Sequence, residues 1–133
     1  MSVTLDTNIY VSALNYSGMP FRLLEMARAG VVRIDISDAI EREILRILRD
    51  DFHWDGHRIN DLAQRLSKFT NRVTPTETVR VVDDPDDDRI VECALAGGST
   101  HIISRDKALL RLGEYRGIRI SNDRDYLELA RQR

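Results

Sequence analysis

Short apolar runs alternate along this chain with stretches whose apolar residues recur every three or four positions. The first run, Val3-Thr4-Leu5, reads as a strand, and residues 8–14 read as a helix ending near Asn15-Tyr16-Ser17-Gly18. Pro20 suits the first position of the next helix, and Gly30 its close after Arg28-Ala29. Residues 31–36 alternate with the period of a strand. Ser37 then caps a helix that runs to about Arg49. Residues 53–56 form a loop holding Trp54. A helix follows, with Ile59, Leu62, Ala63, Leu66 and Phe69 at helical spacing. Residues 79–82 are apolar and short, a strand or an extended lead-in to a helix at 86–96 closed by Gly97-Gly98. A strand at 101–104, a helix at 107–112, a strand at 118–120 and a closing helix from Asp123 to about Arg131 complete the pattern.

This alternation predicts an α/β fold with a parallel sheet covered by helices on both faces. The 133 residues suit a single domain, 1–133, large enough for a real core. There is no internal repeat, low-complexity tract or linker. Hydrophobic content of 42% and charged content of 32% fit a soluble globular protein, and no apolar run approaches the ~20 residues of a membrane helix. The N-terminus shows neither the basic region nor the long apolar stretch of a signal peptide, so a cytoplasmic protein is expected. Cys93 is the single cysteine, which excludes a disulfide framework and a cysteine-based zinc site; its apolar neighbours suggest a small core residue. The net charge of −2 is unevenly spread. From His101 onward there are eight basic and five acidic residues, against twelve and seventeen before it. An acidic excess gathered in one site would leave the remaining surface able to attract phosphate.

The acidic residues recur at the ends of apolar segments. Asp6 follows the first strand and Asp106 follows the run that starts at His101. In open parallel sheets, ligands bind beyond the carboxyl ends of the strands, so both carboxylates belong to one edge. Asp84, Asp86, Asp87 and Asp88 open the helix whose buried stripe is Ile90, Val91, Ala94 and Leu95. Asp87, three before Ile90 and seven before Ala94, continues that stripe, while Asp86 and Asp88 point elsewhere. A capping role alone would need one aspartate here, whereas four stand within five residues. Carboxylates gathered in one cleft repel each other unless a divalent cation neutralises them, and such a site suits metal-assisted hydrolysis of a phosphate ester.

A fourth carboxylate is less sharply defined. On the Ser37 helix, Ile40, Ile44, Ile47 and Leu48 form the apolar arc, with Glu43 at one margin and Glu41 at the other. Arg42, Arg46 and Arg49 form a basic stripe beside Glu43. Periodicity alone does not choose between the two glutamates. His53 and His57 lack further ligands for zinc. Trp54 reads as a packing anchor or partner contact, and the four tyrosines form no nucleic-acid motif.

Taken together, Leu5-Asp6-Thr7-Asn8, the segment 37–48 with Glu43, Asp84 to Gly98, and Ile102-Ile103-Ser104-Arg105-Asp106-Lys107 resemble the four motifs of PIN-domain proteins, in order. Gly113-Glu114-Tyr115-Arg116-Gly117-Ile118 is similar to the ending of the PIN group of toxins from toxin–antitoxin pairs, VapC-like ribonucleases. The resemblance covers nearly the whole chain. It implies a three-layer α/β/α sandwich with a central parallel sheet and metal-dependent cleavage of single-stranded RNA. It also implies an acidic set of Asp6, Glu43, Asp87 and Asp106 holding Mg²⁺ or Mn²⁺. Asp84 stands close enough in sequence to join the metal ligands, and Asn8 and Ser104 occupy supporting polar positions. Arg42, Arg46 and Arg105 are the arginines expected to meet RNA. An antitoxin protein is the expected partner, and a homodimer is compatible with the sequence. The sequence does not decide the RNA target or one ion against two.

Two rival functions differ in chemistry. A phosphatase using Asp6 as nucleophile would resemble haloacid dehalogenase-like enzymes, which place a second aspartate where this chain has Asn8. A non-catalytic PIN-like module binding RNA or protein would not need all four acidic positions filled.

Overall fold

The computed structural model describes residues 1–132. Its elements are β1 (Ser2–Leu5), α1 (Thr7–Asn15), α2 (Met19–Arg28), β2 (Arg33–Ile36), α3 (Asp38–Asp50), α4 (Gly56–Phe69), β3 (Thr70–Arg72), α5 (Pro85–Gly97), β4 (His101–Ile103), α6 (Lys107–Leu112), β5 (Glu114–Tyr115), β6 (Ile118–Ser121) and α7 (Asp123–Arg131). The six strands lie in the order β3-β2-β1-β4-β6-β5. All neighbours pair in parallel except β5 and β6, which are antiparallel. Helices flank the sheet, giving the expected α/β/α arrangement. Among the described residues, no helix is long and apolar enough to cross a membrane.

The topology marks one edge of the sheet as the place for a ligand. From β1 the chain builds β2 and β3 to one side, then returns to place β4 on the other side of β1. The carboxyl ends of β1 and β4 therefore flank a topological switch point, where open α/β sheets bind ligands. β1 is buried along its whole length, as the centre of such a sheet requires. Its alternation sends Thr4 toward α5, where the Thr4 hydroxyl lies 2.8 Å from Ser99 Oγ, and sends Val3 and Leu5 to the opposite face.

Local chemistry sets the helix starts. Ser37 and Asp55 accept the Ile40 and Arg58 amides at 3.4 and 2.8 Å. Asn122 accepts from Asp125 at 2.7 Å at the start of α7. Gly98 closes α5 in the left-handed conformation that favours glycine.

The sheet departs from expectation at its edges. β3, Thr-Asn-Arg, has no apolar signature, yet it pairs with β2 in the register Ile34↔Thr70. Residues 79–82, read as a strand or lead-in, stay outside the sheet. Their amides go to α5 instead: Val79 N–H to Glu92 Oε2 at 2.9 Å, and Val81 and Val82 N–H to Asp88 Oδ1 at 2.9 and 3.1 Å. β5 is a two-residue strand returned through Arg116 and Gly117, both at positive φ, as a tight hairpin turn needs.

Candidate functional site

Asp6 is the first residue beyond β1, and its amide donates to the Ile103 carbonyl of β4 at 2.9 Å. This bond draws the two strand ends together. Ser104, fully buried at the end of β4, donates to Asp6 Oδ2 at 2.6 Å and accepts the Asp106 amide at 2.9 Å. One hydroxyl thus holds both strand-end aspartates. Asp106 caps α6, its Oδ1 accepting the Ala108 and Leu109 amides at 2.9 and 3.1 Å. Its carboxylate is therefore oriented by its own helix before any ligand arrives.

Asp87 joins them from the first turn of α5. Its carboxyl is pushed up to about 7, first by burial and then by the negative charges of Asp106, Asp6 and Asp84. A side-chain hydrogen bond to Asp106 adds to the shift. The Asp6 carboxyl is raised too, by burial against the lowering effect of Ser104 and with the Asp106 charge acting upward. Asp84 caps α5 by accepting the Asp86 amide at 2.9 Å and stays exposed at the rim. The cluster is thus deficient in positive charge, and all its donors are hard carboxylate oxygens, which fit Mg²⁺ or Mn²⁺. Among the described residues, however, no group of three or more His, Cys, Asp or Glu side chains is closed tightly enough to hold a metal ion as it stands. The donor chemistry fits the ion; the ligands would have to draw inward around it.

Glu43 stands beside this cluster. It lines a groove between α3 and α5 with Thr7 and Asp86, the sequence neighbours of Asp6 and Asp87. Its carboxylate accepts two bonds from Arg46, at 2.7 and 3.1 Å. Glu41 turns away to Arg72 at 2.8 Å, bracing α3 against β3. Asn8 is exposed on α1.

The three arginines expected at RNA have different surroundings. Arg42 is exposed in the α3–α5 groove and has no ion pair among the described residues. Arg46 is paired with Glu43 in the same groove. Arg105 makes a two-pronged pair with buried Asp123, at 2.9 and 2.7 Å, tying the β4–α6 loop to α7.

Other polar residues were invisible to periodicity. Asp35, a charged residue within β2, is fully buried and accepts from Ser99 at 2.6 Å, Asn71 at 3.0 Å and Arg33 at 3.1 Å. The covering helix α5 makes that face of β2 interior. Asp88 and Glu92 are buried to hold residues 79–82, as described. Their i, i+4 spacing on α5, off the apolar stripe, was the available signal. Cys93 is buried, and its thiol is pushed up to about 12, which leaves it inert as a nucleophile. His53 and His57 assemble no metal site among the described residues.

Comparison with known proteins agrees with this architecture. No curated protein matches the chain in sequence. Among solved structures, the chain resembles one in the crystal structure of VapBC2 from Rickettsia felis bound to a DNA fragment from their promoter, with a TM-score of 0.63 at 14% identity over 92% of this chain and 98% of that one. It also resembles one in the crystal structure of FitAcB from Neisseria gonorrhoeae, with a TM-score of 0.57 at 15% identity over 91% and 97%. At such identities the likeness shows the fold. The family model described as PIN domain matches residues 2–108, which include all four expected acidic positions, and the chain therefore belongs to the PIN-domain family.

Proposed function

We propose that this protein is a Mg²⁺- or Mn²⁺-dependent endoribonuclease acting on single-stranded RNA in the cytoplasm, and the toxin of a toxin–antitoxin pair. The observation that carries the reading is Asp87, a carboxyl raised to about 7 among Asp6, Asp106 and Asp84 at the switch point of the sheet. Asp6, Asp87 and Asp106 would hold the ion, with Asp84 at the rim and Glu43 swinging in from α3. When bound, the ion supplies a more acidic water and charge stabilisation on the phosphate. The chain's own work is orientation. Ser104 fixes the Asp6 carboxylate and the Asp106 backbone, the α6 amides aim the Asp106 carboxylate, and buried Asp87 brings negative charge to the cleft floor. Arg42 and Arg46 line the adjoining groove and would meet the phosphate backbone.

The toxin role is supported by the likeness to chains of the VapBC2 and FitAcB structures. A second surface supports a protein partner. Phe21, Trp54 and Phe69 line a groove between α2 and α4 together with Arg28, Arg58 and Arg65. The Arg58 guanidinium lies 3.5 Å from the centre of the Trp54 ring. Aromatic side chains beneath cations suit an acidic, partly apolar segment of an antitoxin.

The test is cleavage of single-stranded RNA with Mn²⁺ and with EDTA by the parent and Asp6→Asn. Cleavage that needs both the metal and Asp6 is expected. Metal-independent cleavage, or none by a folded parent, would overturn the reading. Growth arrest on induction, relieved by Asp6→Asn, is the matching expectation for the toxin role.

A further inference from the structure

The α3–α5 groove does not end at Glu43. A second groove, lined by Ser37, Asp38, Val73, Thr74 and Pro75, continues from it, and Ala39, Arg42 and Arg89 line both. A continuous furrow therefore runs from Thr7, next to Asp6, to Pro75, and its waist is lined by Arg42 from α3 and Arg89 from α5. The two arginines are prepared differently. Arg89 Nε and Nη2 each donate at 2.7 Å to Glu92, which is itself buried and held by the Val79 amide at 2.9 Å. Its guanidinium is thus fixed in place, with Nη1 left to donate. Arg42 is exposed, has no ion pair among the described residues and is free to close from the other wall. Ala39, the remaining shared residue, keeps the waist open. A fixed fork opposite a mobile one is a means of gripping a phosphate group.

We propose that Arg42 and Arg89 form a phosphate subsite that holds the RNA backbone one or more nucleotides away from the cleaved linkage, so that the strand runs along the furrow between α3 and α5. The subsite rests on the ribonuclease reading and gives it a direction across the surface. Both arginines are positioning residues, since they act on the strand and stay clear of the reacting bond.

The experiment uses the full chain and a random-sequence pool of single-stranded RNA. Binding is followed in EDTA over a salt series, and cleavage in Mn²⁺, for the parent, Arg42→Gln, Arg89→Gln and a control, Arg22→Gln, whose arginine is exposed on α2 outside the furrow. Arg42→Gln should flatten the slope of log affinity against log salt by about 0.7, the value for one phosphate contact on a single strand. It should raise KM roughly ten-fold, the lower end for a charge-assisted hydrogen bond, with kcat unchanged. Arg22→Gln should change neither. Arg89→Gln leaves Glu92 without its partner, so its melting is checked, and Arg42→Gln carries the test if Arg89→Gln unfolds. Oligonucleotides carrying a neutral methylphosphonate at each linkage in turn supply the second readout. One flanking position should weaken parent binding and cost Arg42→Gln nothing further. Parent-like slope and KM in Arg42→Gln, or losses that add, would overturn the subsite while leaving the ribonuclease reading intact. A folded parent that neither binds nor cleaves RNA would overturn both.

Discussion

Asp87 and Asp88 are adjacent on α5 and both buried, yet they face opposite tasks. Asp87 lies under the charges of Asp106, Asp6 and Asp84, while Asp88 accepts the amides of Val81 and Val82. The 100° step between neighbouring helical residues separates a carboxylate of the acidic cluster from one that holds the 79–82 segment. Asp87→Asn should abolish most RNA cleavage and leave the fold intact. Asp88→Asn should retain cleavage while losing about 1–3 kcal/mol of stability, because a buried acceptor of two amides is weakened. Urea melts beside cleavage assays separate the two. Loss of cleavage in Asp88→Asn at full folding, with an active Asp87→Asn, would reverse the assignment.

The raised Asp87 carboxyl has a definite pH signature. Its folded value is about 7 against an ordinary 3.8, so between these values the folded state binds more protons than the unfolded. Stability in EDTA should therefore fall as pH rises through this window and level off above about 7. Asp87→Asn should flatten the fall. Equilibrium denaturation from acid to neutral pH measures it, and a parent curve that the substitution leaves unaltered would contradict the shift.

Metal should act in the opposite sense near neutral pH. An ion that binds only the folded state at a hundred-fold excess over its Kd adds about 2.7 kcal/mol. Mn²⁺ should accordingly raise the melting temperature at pH 7.5–8 relative to EDTA, and Asp6→Asn should shrink the rise. Equal melting in both conditions would argue against an ion site at these carboxylates.

Glu43 and Glu41 offer a matched pair on one helix. Glu43 opens on the furrow beside the cluster, and Glu41 braces Arg72. Glu43→Gln should reduce cleavage steeply while changing stability by no more than about 0.5 kcal/mol, as for a solvent-exposed ion pair. Glu41→Gln should leave kcat unchanged. An inactive Glu41→Gln beside an active Glu43→Gln would exchange their roles.

The close approach of Gly97 to Asp35 is a structural test remote from the acidic cluster. A Cβ at Gly97 would lie 2.5 Å from Asp35 Cγ, and Asp35 is pinned by Ser99, Asn71 and Arg33. Gly97→Ala should therefore destabilise the protein by about 1–3 kcal/mol, the range for overpacking, despite alanine's better helix propensity. A denaturant midpoint equal to that of the parent would show that Asp35 moves freely.

Local signals carried much of the architecture. The boundaries of α6 and α7 follow from their periodicity and from Asp106 and Asn122 as caps, which are decided within a few residues. The alternation of elements implied the parallel sheet, and with it a shared edge for Asp6 and Asp106. Helical periodicity put Asp87 and Asp88 on different faces of α5 but did not show the burial of Asp88. Tertiary structure decided what depends on partners distant in sequence. β3 has no apolar stripe because it is an edge strand, and only pairing with β2 makes it a strand. Residues 79–82 carry a strand's side chains, but carboxylates on α5 capture their amides. Asp35 is a charged residue that lies inside because α5 covers its face of β2. Glu43 and Glu41 flank one apolar arc symmetrically, and only the location of β3, which brings Arg72 to Glu41, distinguishes them. Period and capping are read from neighbours along the chain, whereas burial and charge at a given residue are set by whatever the rest of the fold brings against it.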